Sequence, residues 1–221
     1  MITHALTTLP AGAVAHRVTA RPARISGRDA VRVELPDETS RDGQPGIDYV
    51  DQPTFLVIPG RFTNGAISVD VWSRLNGKGM PDSRAFAGLA YRISDQRDTF
   101  ESVYLRPLNG RRTNPPPPRD RRAIQYFSYP DWPFDRLRDA YPDGRYEAGL
   151  DIGPEEWTTL RLDVTATSVT ATVNGVHALT IDQPTTEPCT GAVGLFVDIG
   201  TEAFFSDLII DDAAERPGHR S

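Results

Sequence analysis

The side chains in this sequence best suited to chemistry on an oxygen-rich ligand lie between Phe100 and Glu147. That stretch reads FESVYLRPLNGRRTNPPPPRDRRAIQYFSYPDWPFDRLRDAYPDGRYE. It brings together Tyr104, Arg106, Asn109, Gln125, Tyr126, Trp132, Arg136, Arg138 and Tyr146. Aromatic rings cover the apolar faces of sugars, while Arg, Asn and Gln satisfy hydroxyl groups. The combination predicts a binding surface for a carbohydrate or a similar small molecule. Glycoside cleavage ordinarily takes two carboxyl groups at a set separation, one of them held protonated. Glu101, Asp135, Glu147, Asp151, Asp198 and Glu202 are the available carboxylates, and Glu101, Glu147 and Glu202 are the expected catalytic bases. A keto sugar needs less. Its carbonyl acidifies the neighbouring C–H, so one base and one cation that polarises the carbonyl can drive elimination. An enzyme of either kind should bury a carboxylate or Tyr of raised pKa near Arg106 or Gln125. A lectin should instead present an open aromatic platform with no buried acid.

These side chains must be positioned by strands. Residues 100–107 alternate, with Phe100, Ser102, Tyr104 and Arg106 on one face and Glu101, Val103 and Leu105 on the other. Val103 and Leu105 mark the core face, so the first set is offered to a ligand and Glu101 is turned away from Tyr104 and Arg106. Residues 123–128 form a second strand that adds either Gln125 or Tyr126, depending on register. The intervening loop holds Pro115 to Pro118 and reads as a stiff rim. Residues 131–139 predict a turn or two of helix, with Asp131 as N-cap and Pro133 in the first turn. Arg136 and Arg138, two apart, do not share a helix face, so at most one reaches a common ligand.

The remainder reads as framework. Strand-like alternation recurs at 30–35, 66–72, 86–93, 157–164, 169–173, 176–181, 192–197 and 202–210, and Asn174-Gly175 signals a type I′ hairpin. No long amphipathic helix competes. The chain of 221 residues therefore predicts one all-β sandwich, with 1–15 and 211–221 as loose ends. The net charge of −6 argues against a nucleic-acid partner. No run approaches the ~18 apolar residues of a membrane span. The first residues lack a basic stretch leading into an apolar one, which predicts a cytoplasmic protein. Cys189 is the single cysteine, and His4, His16, His177 and His219 are scattered, so spacing supports no metal site. No glycine-rich phosphate loop is present, and no nucleotide cofactor is expected.

Several segments carry a resemblance: FESVYLRPLN at 100–109, IQYFSYPDW at 124–132, RLR at 136–138, and Tyr146-Glu147. EEWTTLRLDV at 155–164, VTATVNG at 169–175 and GAVGLFVDIGTEAFFSDLII at 191–210 add to it. With these, residues 65–210 resemble the concanavalin A-like lectin/glucanase sandwiches, and more narrowly the 3-keto-disaccharide hydrolase or LamG-like group. The resemblance implies a concanavalin A-like jelly roll that binds carbohydrate on the concave face of one sheet. It implies a hydrolase or lyase acting on a glycoside or related oxygen-rich small molecule. A non-catalytic carbohydrate-binding module and a cyclase or eliminase of small-molecule biosynthesis are the alternatives. Some relatives use calcium structurally, and fold analogy alone offers Asp48, Asp51, Asp70 and Asp198 for such an ion. The Glu-x-Asp-x-x-Glu strand motif of laminarinase-type enzymes is absent, which excludes their retaining mechanism.

Overall fold

Runs of alternating apolar and polar residues bury one face only if a second sheet covers it, and this chain supplies two. The computed structural model describes residues 1–213. In chain order the strands begin with β1 (Ile2–His4), β2 (Val14–His16), β3 (Thr19–Ile25) and β4 (Arg28–Glu34). A one-turn helix α1 (Asp37–Asp42) precedes β5 (Phe55–Phe62), β6 (Gly65–Leu75), β7 (Ala87–Ile93) and β8 (Phe100–Leu105). Short 3-10 turns between Pro107 and Arg121 lead to β9 (Ile124–Tyr129), then α2 (Phe134–Ala140) and β10 (Glu147–Ala148). β11 (Thr158–Val164), β12 (Val169–Val173), β13 (Val176–Ile181), β14 (Gly191–Val197) and β15 (Thr201–Asp212) complete the set.

Eight strands form one sheet in the order β13-β12-β11-β6-β15-β4-β3, with β1 also pairing β15. Seven form the other, in the order β10-β9-β8-β7-β14-β5-β2. Their aliphatic faces meet. Ile67, Val69, Leu160 and Leu162 of the first sheet are buried, as are Leu56, Leu89, Val103 and Leu195 of the second. The two sheets are also tied by polar groups at one end. Arg92 donates from Nη1 to Glu101 Oε1 (2.6 Å), from Nε to Thr63 O (2.9 Å), and from Nη2 to Asn64 Oδ1 (2.9 Å) and Thr165 O (2.8 Å). Glu101 accepts in addition from the Tyr126 hydroxyl at 2.7 Å.

Three expectations change. The N-terminal residues are not loose: Ile2 pairs with Ile210, and Val14 with Val57, because β15 and β5 would otherwise leave ladder groups unpaired. At the other end β15 continues to Asp212, and the rest of the expected loose tail lies outside the described residues. The predicted helix starts later than Asp131, with Pro133 in the N-cap position and no side-chain cap. Asp51 Oδ2 instead accepts from the Phe134 amide at 2.6 Å.

Candidate functional site

In antiparallel sheets, residues directly opposite each other share a face. On the seven-stranded sheet this produces one continuous row. His16 lies opposite Phe55, Phe55 opposite Phe196, and Phe196 opposite Gly88. Gly88 lies opposite Tyr104, Tyr104 opposite Gln125, and Gln125 opposite Glu147. The row is on the face away from the eight-stranded sheet. Tyr126, one residue on from Gln125, points the other way and its hydroxyl lies beside Thr185, just beyond β13. The glycine in the row is required. A Cβ at Gly88 would stand 2.3 Å from Val103 O and 2.5 Å from Tyr104 Cα, both backbone atoms.

Aromatic rings fill this face. Tyr104 packs against Phe196 (5.4 Å between centroids), Phe127 (5.7 Å) and Phe86 (6.0 Å). Above Tyr104 opens a cleft of about 240 Å³. Phe86, Tyr104 and Phe134 form its apolar wall, and Asp51, Asp198, Arg106 and Asn109 supply polar groups. Arg84, Arg119, Arg122 and Arg138 add to the lining from three different segments.

The two aspartates have the same side chain and different surroundings. Asp198 follows β14 and is buried. Its carboxylate accepts from the amides of Val50 (2.9 Å), Asp51 (3.0 Å) and Ile199 (2.7 Å). Burial raises its pKa, and those three N–H groups oppose the rise. Val50 and Asp51 sit at φ 69° and 55°, a left-handed conformation unusual for valine above all. The Asp198 carboxylate holds both in it. Asp51 is buried as well, but accepts one backbone N–H, from Phe134. Burial first, and the Asp198 charge second, push its pKa up to about 7, against the pull of the Phe134 amide and the Arg106 charge. Burial therefore favours the protonated form of Asp51 up to about pH 7.

Arg106 crosses the cleft floor. Burial works against its charge, but Tyr104, Asp51 and Glu147 outweigh it and its pKa lies above the usual value. Nη2 donates to the Tyr104 hydroxyl at 2.7 Å and Nη1 approaches Glu147 at 3.5 Å. Burial pushes the Tyr104 pKa well up, so its phenol stays protonated, and its hydroxyl faces the Asp51 carboxyl, whose pKa it pulls down. Behind the wall, Glu147 gathers three guanidiniums. Arg138 bonds both carboxylate oxygens, Nε to Oε1 at 3.1 Å and Nη2 to Oε2 at 2.6 Å, and Arg122 lies at 2.9 Å. Among the described residues, Asp51 Oδ1, Arg106 Nε and Asn109 Oδ1 are buried and make no hydrogen bond. Buried polar atoms are rarely left so, and these three belong to residues that line one cleft.

No family model and no curated protein sequence matches this chain. Solved structures do. It is similar to the carbohydrate-binding module CBM66 from Bacillus subtilis, with a TM-score of 0.54, 9% identity, and coverage of 88% of this chain and 94% of that one. A protein of unknown function with a galectin-like fold, also from Bacillus subtilis, gives a TM-score of 0.53 at 14% identity, covering 94% of this chain and 93% of the other. The fold is a concanavalin A-like jelly roll. At these identities the likeness is one of fold.

This jelly roll brings Tyr104, Arg106, Asn109 and Arg138 into the cleft lining and Glu147 directly behind it. Gln125 lies beside Tyr104 in the row, its Nε2 donating to Tyr126 O (2.6 Å) and Tyr146 O (3.2 Å). Six other expected residues lie outside the cleft. Glu101 and Tyr126 are bonded to each other on the opposite face. Tyr146 stacks on Tyr126 at 5.6 Å and donates to Gln183 O. Trp132 is covered by Arg136, 4.4 Å above its ring. Glu202 belongs to the other sheet, where Arg32 (2.6 Å) and Arg74 (2.7 Å) hold it. The acids offered for calcium also separate. Asp48 pairs with Arg17 and Asp70 with Arg28, so only Asp51 and Asp198 meet. Among the described residues no three His, Cys, Asp or Glu side chains converge on a metal position. Sequence reasoning placed Asp51 only among the acids offered for calcium, and did not bring it together with Arg84, Arg119, Phe86 or Phe134. Asp51 lies in a segment without periodicity, and its significance comes from what covers it.

Proposed function

We propose that this protein is a hydrolase or lyase acting on a glycoside or related oxygen-rich small molecule, with Asp51 as its proton-transfer group. The observation that carries the proposal is the buried Asp51 carboxyl, one oxygen unpartnered, in a cleft that also presents the free Nε–H of Arg106. A shallow lectin platform needs no buried acid. A group with pKa about 7 can accept and return a proton at neutral pH. The cleft falls below the ~300 Å³ at which drug-sized pockets begin, so it suits a single ring, seated against Phe86, Tyr104 and Phe134.

On a 3-keto glycoside the steps balance as follows. Asp51 takes the proton from the carbon beside the carbonyl, and the electron pair moves onto the carbonyl oxygen. Arg106 Nε–H and the Tyr104 hydroxyl stabilise that oxyanion. The pair returns to expel the glycosidic oxygen, which leaves as an alcohol carrying the proton from Asp51. Water then adds across the double bond in the hydrolase, or the unsaturated sugar is released in the lyase.

The test is proton NMR of glycosides and their 3-keto derivatives incubated with the protein in D₂O. The expected result is release of the alcohol together with its partner product, a keto sugar deuterated beside the carbonyl in the hydrolase or the unsaturated sugar in the lyase. Both should be lost in Asp51→Asn, with the wild-type circular dichroism retained. Saturable binding in the cleft with no product from any compound would support the non-catalytic binding module instead. Full turnover by Asp51→Asn would remove Asp51 from the mechanism.

A further inference from the structure

We infer that the ligand of this cleft carries an anionic group, seated between Arg84 and Arg119 at the cleft mouth. The inference rests on the reading of the cleft as the substrate site and specifies the class of substrate. Five guanidiniums line the cleft, yet they are not equivalent. Arg106, Arg122 and Arg138 converge on Glu147. Arg84 and Arg119 form no ion pair among the described residues. Arg84 spends only Nη1, on Ser83 O (2.7 Å) and Pro81 O (3.1 Å), and leaves Nε and Nη2 uncommitted. The Arg119 side chain makes no hydrogen bond and is exposed.

Two like charges have been placed where they oppose each other. Burial lowers the pKa of Arg84, and the charges of Arg119 and then Arg106 add to the effect, with Asp82 pulling the other way. Asp82 lines the same mouth but is exposed and pairs with neither arginine. The balance of the cleft is positive. Five arginines face Asp51, Asp82 and Asp198, with Glu147 behind, and Asp51 remains protonated up to about pH 7. A guanidinium presents a planar fork that fits the paired oxygens of a carboxylate, a sulfate or a phosphate.

The arrangement also explains the proline-rich segment. Arg119 opens the 3-10 turn Arg119–Arg121, directly after Pro115 to Pro118. Prolines cut the conformational freedom of a loop, so this rim holds Arg119 in place across from Arg84. The Arg84 backbone is in turn tied to the turn Pro107–Asn109 that opens this connection, its carbonyl accepting from the Leu108 amide.

Isothermal titration with glucose, glucuronate, glucose 6-phosphate and inorganic phosphate, at fixed ionic strength, tests the inference. At least one oxyanion should bind about tenfold or more tighter than glucose. That ratio should fall to about twofold or less in Arg119→Gln and in Arg84→Gln. Arg119 is exposed, so its substitution leaves the fold intact. Glucuronate alone showing the preference identifies a carboxylate ligand, whereas the two phosphates alone identify a phosphate ester. No oxyanion exceeding glucose, or a preference that survives both substitutions, overturns the inference. The readout is equilibrium binding, so it stands or falls separately from the turnover of Asp51→Asn.

Discussion

Replacing Asp51 with Asn should make this protein more stable while removing its activity, and the gain should depend on pH. Asn has the same shape, and its amide oxygen can still accept from the Phe134 amide. What it lacks is the ability to ionise. Burial and the neighbouring Asp198 raise the Asp51 pKa from 3.8 to about 7. Between those values the folded protein keeps a proton that the unfolded chain releases. Stability from this group is therefore complete below pH 3.8 and is lost as pH rises to about 7. At ~1.4 kcal/mol per pH unit over that interval, the wild type gives up about 4 kcal/mol by pH 8. The Asn variant gives up none. Its advantage should be near zero at pH 4 and should approach about 4 kcal/mol at pH 8. For a chain of this size that is a rise in Tm of about 10 °C.

The assay is urea unfolding of both proteins at several pH values. Groups away from the cleft titrate identically in the two, so the difference between them reports Asp51 together with its coupled neighbours Asp198 and Arg106. A gain that is constant with pH, or a variant less stable than wild type at pH 8, would refute the buried-acid argument. The activity of the wild type should show the same group. With Asp51 acting first as a base, turnover should rise with pH through about 7. A stability cost concentrated at a reacting group is the usual form of the trade between activity and stability.

Three further substitutions separate framework from site. Glu101→Gln removes the charge that Arg92 meets inside the sandwich, and should cost about 3 kcal/mol in urea unfolding while leaving turnover unchanged below the transition. Gly88→Ala places a Cβ against the backbone of Val103 and Tyr104. It should destabilise by about 1–3 kcal/mol and weaken ligand binding in titration calorimetry, because Tyr104 must shift. Glu147→Gln loosens Arg106, Arg122 and Arg138 together. Loss of that charge should cost about 3 kcal/mol of stability, measured by unfolding, and turnover should fall because Arg106 loses its anchor.

What the sequence made legible was local. Alternation along β8 places Tyr104 and Arg106 on one face and Glu101 on the other, and the structure has them so. The choice between Gln125 and Tyr126 is not local, since it depends on which residue of β9 meets Tyr104. The ladder selects Gln125. Residue type alone misplaced Glu202, because carboxylates that hold arginines on the far sheet look no different in sequence from those in a cleft. Trp132 and Arg136 were the right types for sugar binding, but they satisfy each other instead. Asp51 was the hardest to find. Its partner Asp198 is separated from it by 147 positions, and its cover, Phe134, comes from a third segment.

The separation of roles between Asp51 and Asp198 follows from counting donors. Two carboxylates this close in a dry site cannot both ionise freely. Three backbone N–H groups fix the charge on Asp198, and one is left for Asp51. Two of the three donors are the amides of Val50 and Asp51 themselves, which become available to Asp198 only because both residues adopt positive φ. A conformation of that kind costs on the order of 1–3 kcal/mol per residue and persists where its surroundings enforce it. The same backbone turn thus does two things. It spends its N–H groups in stabilising the charge of Asp198, and it carries the Asp51 side chain into the cleft with an oxygen unpartnered. Relaxing the turn would free the donors and withdraw the acid together, so the strain at Val50 and the protonation of Asp51 are one feature of the fold rather than two.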